Sequence, residues 1–234
     1  MKIAAIADLH CSTNSAGEMR ELLEGVERAA DLLVIAGDLT NMGLPDEMGI
    51  LLGELRRLSL PTLAVLGNHD HESDRVEQLS SMLKTGGVFL LDGGTCIIDG
   101  VGFIGSKGFC GGFGKLAVQP FGERTLKELI RASIEEAKLL EHILDEMDSE
   151  RKVAILHYAP VEQTLVGEER ELYPFLGSSL LADALDRKGV DVVVHGHAHN
   201  GSPEGKTPGG IPVHNVCRFV RKRMGLSPYL VLEV

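Results

Sequence analysis

The 234-residue sequence has no tryptophan, and three tyrosines and seven phenylalanines are its only other aromatics. That is too few for a platform that stacks successive bases of a single strand. Basic residues are also in deficit: 23 Lys and Arg against 34 Asp and Glu give a formal charge of −11. A chain this acidic repels a polyanion, so long nucleic acid is disfavoured as a partner. Four cysteines (Cys11, Cys96, Cys110, Cys217) lie far apart without CxxC spacing, which excludes both a disulfide framework and a thiolate zinc site. No run reaches the roughly 18 apolar residues of a membrane span. The chain opens directly on an apolar strand, Ile3 to Ala7, without a signal peptide, so a cytoplasmic setting without membrane association is expected. Hydrophobic residues at 44% exclude a disordered chain.

What is present is a regular alternation. Ile3–Ala7, Leu32–Ala36 and Thr62–Leu66 are apolar runs of strand length. Between them, 16–30 and 45–58 carry Leu, Val and Met at three- and four-residue intervals, the period of an amphipathic helix. Strands alternating with helices predict a parallel sheet. From Val88 the texture changes to short strands, 88–91, 95–98 and 101–105, joined by Gly-rich turns, which predicts a meander and a mixed sheet. A long helix is expected over 123–148, a shorter one over 178–188, and strands at 153–156, 190–194, 211–216 and 229–234. With no linker, repeat or low-complexity stretch, 1–234 reads as a single domain.

Polar clusters follow five of these strands: Asp8-Leu9-His10, Gly37-Asp38, Gly67-Asn68-His69-Asp70, His157, and His195-Gly196-His197-Ala198-His199. In open α/β sheets the carboxyl ends of the strands are where ligands bind, so clusters far apart in sequence can converge. Seven of the nine histidines lie in or beside these clusters, a concentration that points to a site. Carboxylates mixed with imidazoles suit divalent zinc, manganese, iron or nickel, and a carboxylate can bridge two ions that clamp a phosphoryl group.

In order and spacing, Asp8-x-His10, Gly37-Asp38, Gly67-Asn68-His69-Asp70, His157 and Gly196-His197-Ala198-His199 resemble the motif set of the calcineurin-like metallophosphoesterases, from residue 8 to residue 199. The resemblance implies a four-layer α/β/β/α sandwich of two mixed sheets. It implies two divalent ions, the first on Asp8, His10, Asp38 and His199, the second on Asn68, His157 and His197 with Asp38 bridging. A hydroxide between the ions would attack the phosphorus, and His69 would protonate the leaving group, its imidazole oriented by Asp70. The expected substrate is a small organic or nucleotide phosphodiester, with a phosphomonoester as the alternative; a nuclease and a non-catalytic scaffold rank below. Two subfamilies fit poorly. Gly37-Asp38-Leu39-Thr40-Asn41-Met42-Gly43 lacks the Gly-Asp-x-Val-Asp-Arg-Gly string of protein Ser/Thr phosphatases, and Asn41 stands where purple acid phosphatases place a tyrosine ligand.

Other residues read more plainly. His71, His195 and His214 are expected to be supporting or core residues, His142 a solvated one, and Cys11 a small buried hydrophobe. The Gly-rich stretch 106–122 admits two readings, a mobile loop over the metals or a surface connection. The basic run Arg218, Arg221, Lys222 and Arg223 reads as a solvated edge hairpin.

Overall fold

The computed structural model describes all 234 residues. Its strands are β1 (Lys2–Ile6), β2 (Leu32–Ala36), β3 (Thr62–Val65), β4 (Val88–Leu90), β5 (Gly94–Ile98), β6 (Val101–Ser106), β7 (Arg151–Leu156), β8 (Val192–His195), β9 (Glu204–Lys206), β10 (Pro212–Asn215) and β11 (Leu230–Glu233). The helices are α1 (Ala16–Leu22), α2 (Val26–Ala29), α3 (Pro45–Leu55), α4 (Val76–Thr85), α5 (Arg124–Asp145), α6 (Tyr173–Leu176), α7 (Ser179–Lys188) and α8 (Arg218–Arg223). One sheet runs β11-β1-β2-β3-β4 and the other β5-β6-β7-β8-β10-β9. Pairing is parallel throughout β1–β4 and β6–β8, with antiparallel strands toward the edges, so both sheets are mixed.

Side-chain alternation along β1 explains the layering. Ala4 and Ile6 pack against Met19, Val26, Met48, Leu51 and Leu79 of the first helical layer. Ile3, Ala5 and Ala7 face the other way, into an inter-sheet core with Val34, Leu63, Phe103, Val153 and Val194. The second sheet repeats this: Ile104, Ala154 and Val193 meet Leu140, Leu144, Leu181 and Leu185 of α5 and α7. Strands buried on both faces must be apolar at every position, which is why β2 reads Leu-Leu-Val-Ile-Ala without alternation. The result is the expected α/β/β/α sandwich.

Three local expectations are corrected. The 16–30 helix is broken after Leu22, where Gly25 turns the chain at φ +76°. The meander does not form, because β4 pairs in parallel with β3 in the first sheet, while β5 and β6 open the second as a hairpin. The basic run is not an edge hairpin but helix α8, pinned by Arg221, which is buried and donates to the Ser227 and Tyr229 carbonyls at 2.6 and 3.0 Å. Helix α4, whose apolar period the sequence reading leaves unassigned, covers β4 with Leu79 and Leu83.

The Gly-rich stretch follows the surface-connection reading only in its second half, and its first half is anchored rather than a mobile loop. Gly111 and Gly112 donate backbone hydrogen bonds to Pro174 and Gly177, and Cys110 and Phe113 are buried, so its first half is fixed. Beyond it Leu116 and Phe121 are 89% and 82% exposed, and that half is a surface connection.

Candidate metal centre

Each cluster sits just past the carboxyl end of its strand: Asp8 and His10 after β1, Asp38 after β2, Asn68–Asp70 after β3, His157 after β7, His197 and His199 after β8. The loops are sewn to one another. Asp8 and His10 donate their backbone N–H to the Gly37 and Asp38 carbonyls at 3.1 and 2.9 Å. The His69 N–H holds Asp38 Oδ1 at 2.9 Å, and the His197 N–H reaches Asp8 Oδ1 at 3.0 Å.

This closeness requires special backbone. Asp8, His10, Asp38 and His197 all adopt positive φ, from 44° to 68°. Non-glycine residues rarely do so, and such strain gathers at functional sites. Gly37, at φ +88°, lies so near His157 that a Cβ there would fall 2.2 Å from its Nδ1.

The side chains form two donor sets. Asp8, His10, Asp38 and His199 place one ligand-type atom each within 4.8 Å of the others, and so do Asp38, His157 and His197. Asp38 belongs to both. Asn68 joins the second set through Oδ1, 2.9 Å from His157 Nε2.

A cation fits these donors on three observations. Asp38 Oδ2 is buried without any hydrogen-bond partner, a costly state for a carboxylate oxygen. His157 Nδ1 must donate to the Ala36 carbonyl at 3.0 Å, so its bare Nε2 faces two oxygens, Asn68 Oδ1 and, at 3.3 Å, Asp38 Oδ1. His10 Nε2 and His199 Nε2 point at each other across 3.2 Å. The unpartnered Asp38 oxygen and the bare His157 nitrogen suit a positive ion, and an ion beside Asp8 would take the place of the proton that His199 Nε2 shares with Asp8 at 3.1 Å.

Charge preferences agree. Burial, followed by the Asp8 and Asp70 charges, raises the Asp38 carboxyl above the ordinary range. Asp8 is also buried, but its His199 hydrogen bond and the surrounding imidazoles outweigh that and hold it low. Burial pushes His10 and His197 down to about 3 and lowers His157, which leaves all three neutral, the form that ligates metal. His199 is raised: burial opposes its charge, but the Asp8 carboxylate more than compensates. His197 Nε2 lies 3.3 Å from the Phe175 carbonyl, leaving Nδ1 for an ion.

His69 stands at the mouth. Its Nδ1 donates to the Asn41 carbonyl at 2.6 Å, and its ring packs edge-on against His10 at 4.3 Å. The expected His69–Asp70 contact is absent. Asp70 is buried and accepts instead from Leu39 N, Thr40 N, Thr40 Oγ1 and Gly67 N at 2.6 to 3.1 Å, so it ties the second loop to the third. A carboxylate facing four donors is saturated, and the imidazole is oriented by a backbone carbonyl.

The remaining histidines stay outside the donor sets. His195 is buried between Gly196 O and Thr164 Oγ1, each at 2.8 Å, while His142 is exposed beside Glu146. His71 and His214 are half-buried, and Cys11 is fully buried. Sequence reasoning passed over Tyr158, whose ring lies 4.4 Å from that of His197, and Phe219, 4.8 Å from His199. Tyr158 adjoins His157 in the chain, and Phe219 was hidden within the basic run.

The histidine–aspartate cluster at the strand ends is a candidate divalent-metal site. The sequence profile of the calcineurin-like phosphoesterases matches residues 1–201, and the chain belongs to that family, whose members hydrolyse phosphoesters. No curated protein matches the chain. Among solved structures, one crystal structure aligns over 99% of this chain and 98% of its own, with a TM-score of 0.65 at 14% identity. A protein from Thermus thermophilus covers 94% of this chain and 90% of its own length, with a TM-score of 0.58 at 14% identity. A candidate 5'-nucleotidase from Staphylococcus aureus, solved with alpha-ketoglutarate, covers 92% of this chain and 48% of its own length, with a TM-score of 0.56 at 16% identity. At such identities the likeness concerns the fold. No helix is long and apolar enough to cross a membrane.

Proposed function

We propose that this chain hydrolyses phosphodiesters of small organic or nucleotide molecules with two divalent cations, one on Asp8, His10, Asp38 and His199 and one on Asp38, Asn68, His157 and His197. The observation that carries the reading is the membership of Asp38 in both donor sets, with its Oδ2 unpartnered. A single buried carboxylate shared by two donor sets is the feature a two-ion centre needs. The donors accept manganese, zinc, iron or nickel. When bound, such ions supply Lewis acidity that polarises the phosphoryl group and activates water.

The chain's own groups do the rest. His69 donates from Nε2 to the leaving-group oxygen, because Nδ1 is committed to Asn41. The His69 N–H on Asp38 Oδ1 fixes this acid relative to the shared carboxylate. Arg218 Nε supports the strained Asp8 turn by donating to the Asp8 carbonyl at 2.9 Å, and its Nη1 is taken by Glu18. Lys107 Nζ is 3.1 Å from the Gly108 carbonyl and lies over the Phe109 and Tyr158 rings. The cationic side chains beside the centre are thus already engaged. A dianionic monoester would ask for further positive charge, and a monoanionic diester asks for less, which favours the diester.

The test is hydrolysis of bis-p-nitrophenyl phosphate and p-nitrophenyl phosphate by protein stripped of metal and reloaded with each ion separately. Metal-dependent turnover preferring the diester is expected. Preference for the monoester would replace the diester reading, and absence of turnover in folded, metal-loaded protein would remove the enzymatic one.

A further inference from the structure

Phe219 is set beside the histidines of the candidate metal centre. It is half-buried yet joins none of the four apolar clusters of the protein. Its ring lies 4.8 Å from that of His199 and 5.8 Å from that of His10, tilted by about 40° to each. The Arg218 guanidinium carbon sits 4.5 Å from its centroid. Arg218 is itself anchored to the Asp8 carbonyl and Glu18, so the ring is held by a fixed neighbour. An apolar ring kept partly in water beside polar metal-ligand residues gains little from core burial.

Two adjoining cavities share this ring. One, of about 490 Å³, is lined by His10, Asn41, His69 and His199. The other, of about 480 Å³, is lined by Leu22, Lys222, Leu226 and Pro228. Phe219, Arg218 and Glu18 line both, so the ring borders the depression that holds the metal-site histidines and its neighbour alike. Each cavity has the size of a small-ligand site. His69, the proposed leaving-group acid, opens into the first cavity, which makes this the side on which the leaving group departs.

The geometry points to Phe219 as the specificity-determining platform of the leaving-group subsite, selecting phosphoesters whose leaving group carries a planar aromatic or heteroaromatic ring. This inference rests on the proposed hydrolytic function. An aromatic ring beside an Arg-backed phenyl stacks and excludes water together, whereas an alkyl group gains only the area it covers. No covalent step is added by this role: the ring sorts substrates by binding.

The experiment uses probes that need no turnover. Metal-loaded protein is titrated calorimetrically with phenyl methylphosphonate and ethyl methylphosphonate, two monoanionic esters that differ in the arm alone. The wild type is expected to bind the phenyl ester about tenfold more tightly than the ethyl ester. Phe219→Ala and Phe219→Leu should lose that preference, the phenyl ester losing about tenfold more affinity than the ethyl ester, and Phe219→Tyr should restore it. Unaltered melting curves for Phe219→Leu guard against a folding defect. Equal affinity for the two esters in the wild type, no binding of either, a preference that survives Phe219→Leu, or an equal loss for both would overturn the proposal. Turnover of bis-p-nitrophenyl phosphate by the same preparation separates the two readings. Phenyl preference without turnover leaves the platform and removes the hydrolase, and turnover without preference does the reverse.

Discussion

Gly37 and His157 approach one another as no pair of residues with side chains could. The imidazole lies where a Cβ on residue 37 would be, 2.2 Å from Nδ1, and that same Nδ1 is bonded to the carbonyl of Ala36. The glycine before the shared carboxylate lets the second sheet deliver its histidine to the first sheet's loop. Two strands from different sheets thereby converge on Asp38, whose Oδ1 lies 3.3 Å from His157 Nε2.

Gly37→Ala therefore combines a clash that cannot relax with a backbone at φ +88°. We expect a loss of folding stability of about 3 kcal/mol or more. Urea denaturation of metal-free protein measures it, and a loss below about 1 kcal/mol would mean that His157 can move aside.

Asp38→Asn should separate stability from function. Burial and the neighbouring Asp8 and Asp70 charges raise the Asp38 carboxyl, so at neutral pH its ionised form is a burden on the metal-free fold. A neutral amide relieves it. The metal-free variant should be at least as stable as wild type, yet bind one metal equivalent fewer and lose turnover. Elemental analysis and urea midpoints together decide; full metal content with wild-type turnover would contradict the bridging role.

For His69→Ala we expect unchanged metal content and a fall in kcat of about 10²- to 10⁴-fold, the usual worth of a positioned acid. Asn41→Ala should leave kcat nearly unchanged, because His69 uses the backbone carbonyl of that residue. Retained turnover in His69→Ala would remove it from the mechanism.

The pH dependence of the metal-free protein follows from its buried imidazoles. His195 is pushed down to about 4, and His10 and His197 to about 3, from an ordinary value of 6.5, all mainly by burial. Below pH 6.5 the unfolded chain takes up protons that the native state refuses, so stability is full above that pH and declines toward pH 4. Each such histidine contributes a slope of about 1.4 kcal/mol per pH unit in that window. Asp38, Asp92 and Glu136, all raised mainly by burial, and His199, raised by the Asp8 carboxylate against its burial, oppose them, while the lowered His71, His157 and His214 add to the decline. Denaturation with a chelator at pH 8, 6 and 4 should show the decline; constant stability would contradict it.

Most of the layered fold, and the gathering of Asp8, His10, Asp38, His157, His197 and His199 at the strand ends, was legible in the sequence. Apolar runs buried on both faces have to be central strands, and polar clusters that follow such strands gather at one edge of a sheet. Spacing did not report which sheet β4 joins, since a three-residue strand pairs with whichever edge its connections allow. Nor did it reveal that Asp70 serves Leu39, Thr40 and Gly67 in place of His69. Adjacency in the chain suggested a contact that the 3₁₀ turn at His69–His71 directs elsewhere. Backbone carbonyls such as those of Asn41 and Ala36 orient two imidazoles, and they carry no sequence signature because every residue has one. Residue type thus determined the chemistry available to this protein. Only the tertiary structure decided which lone pairs face one another, because that depends on two sheets meeting across a core and on four strained residues turning their side chains inward.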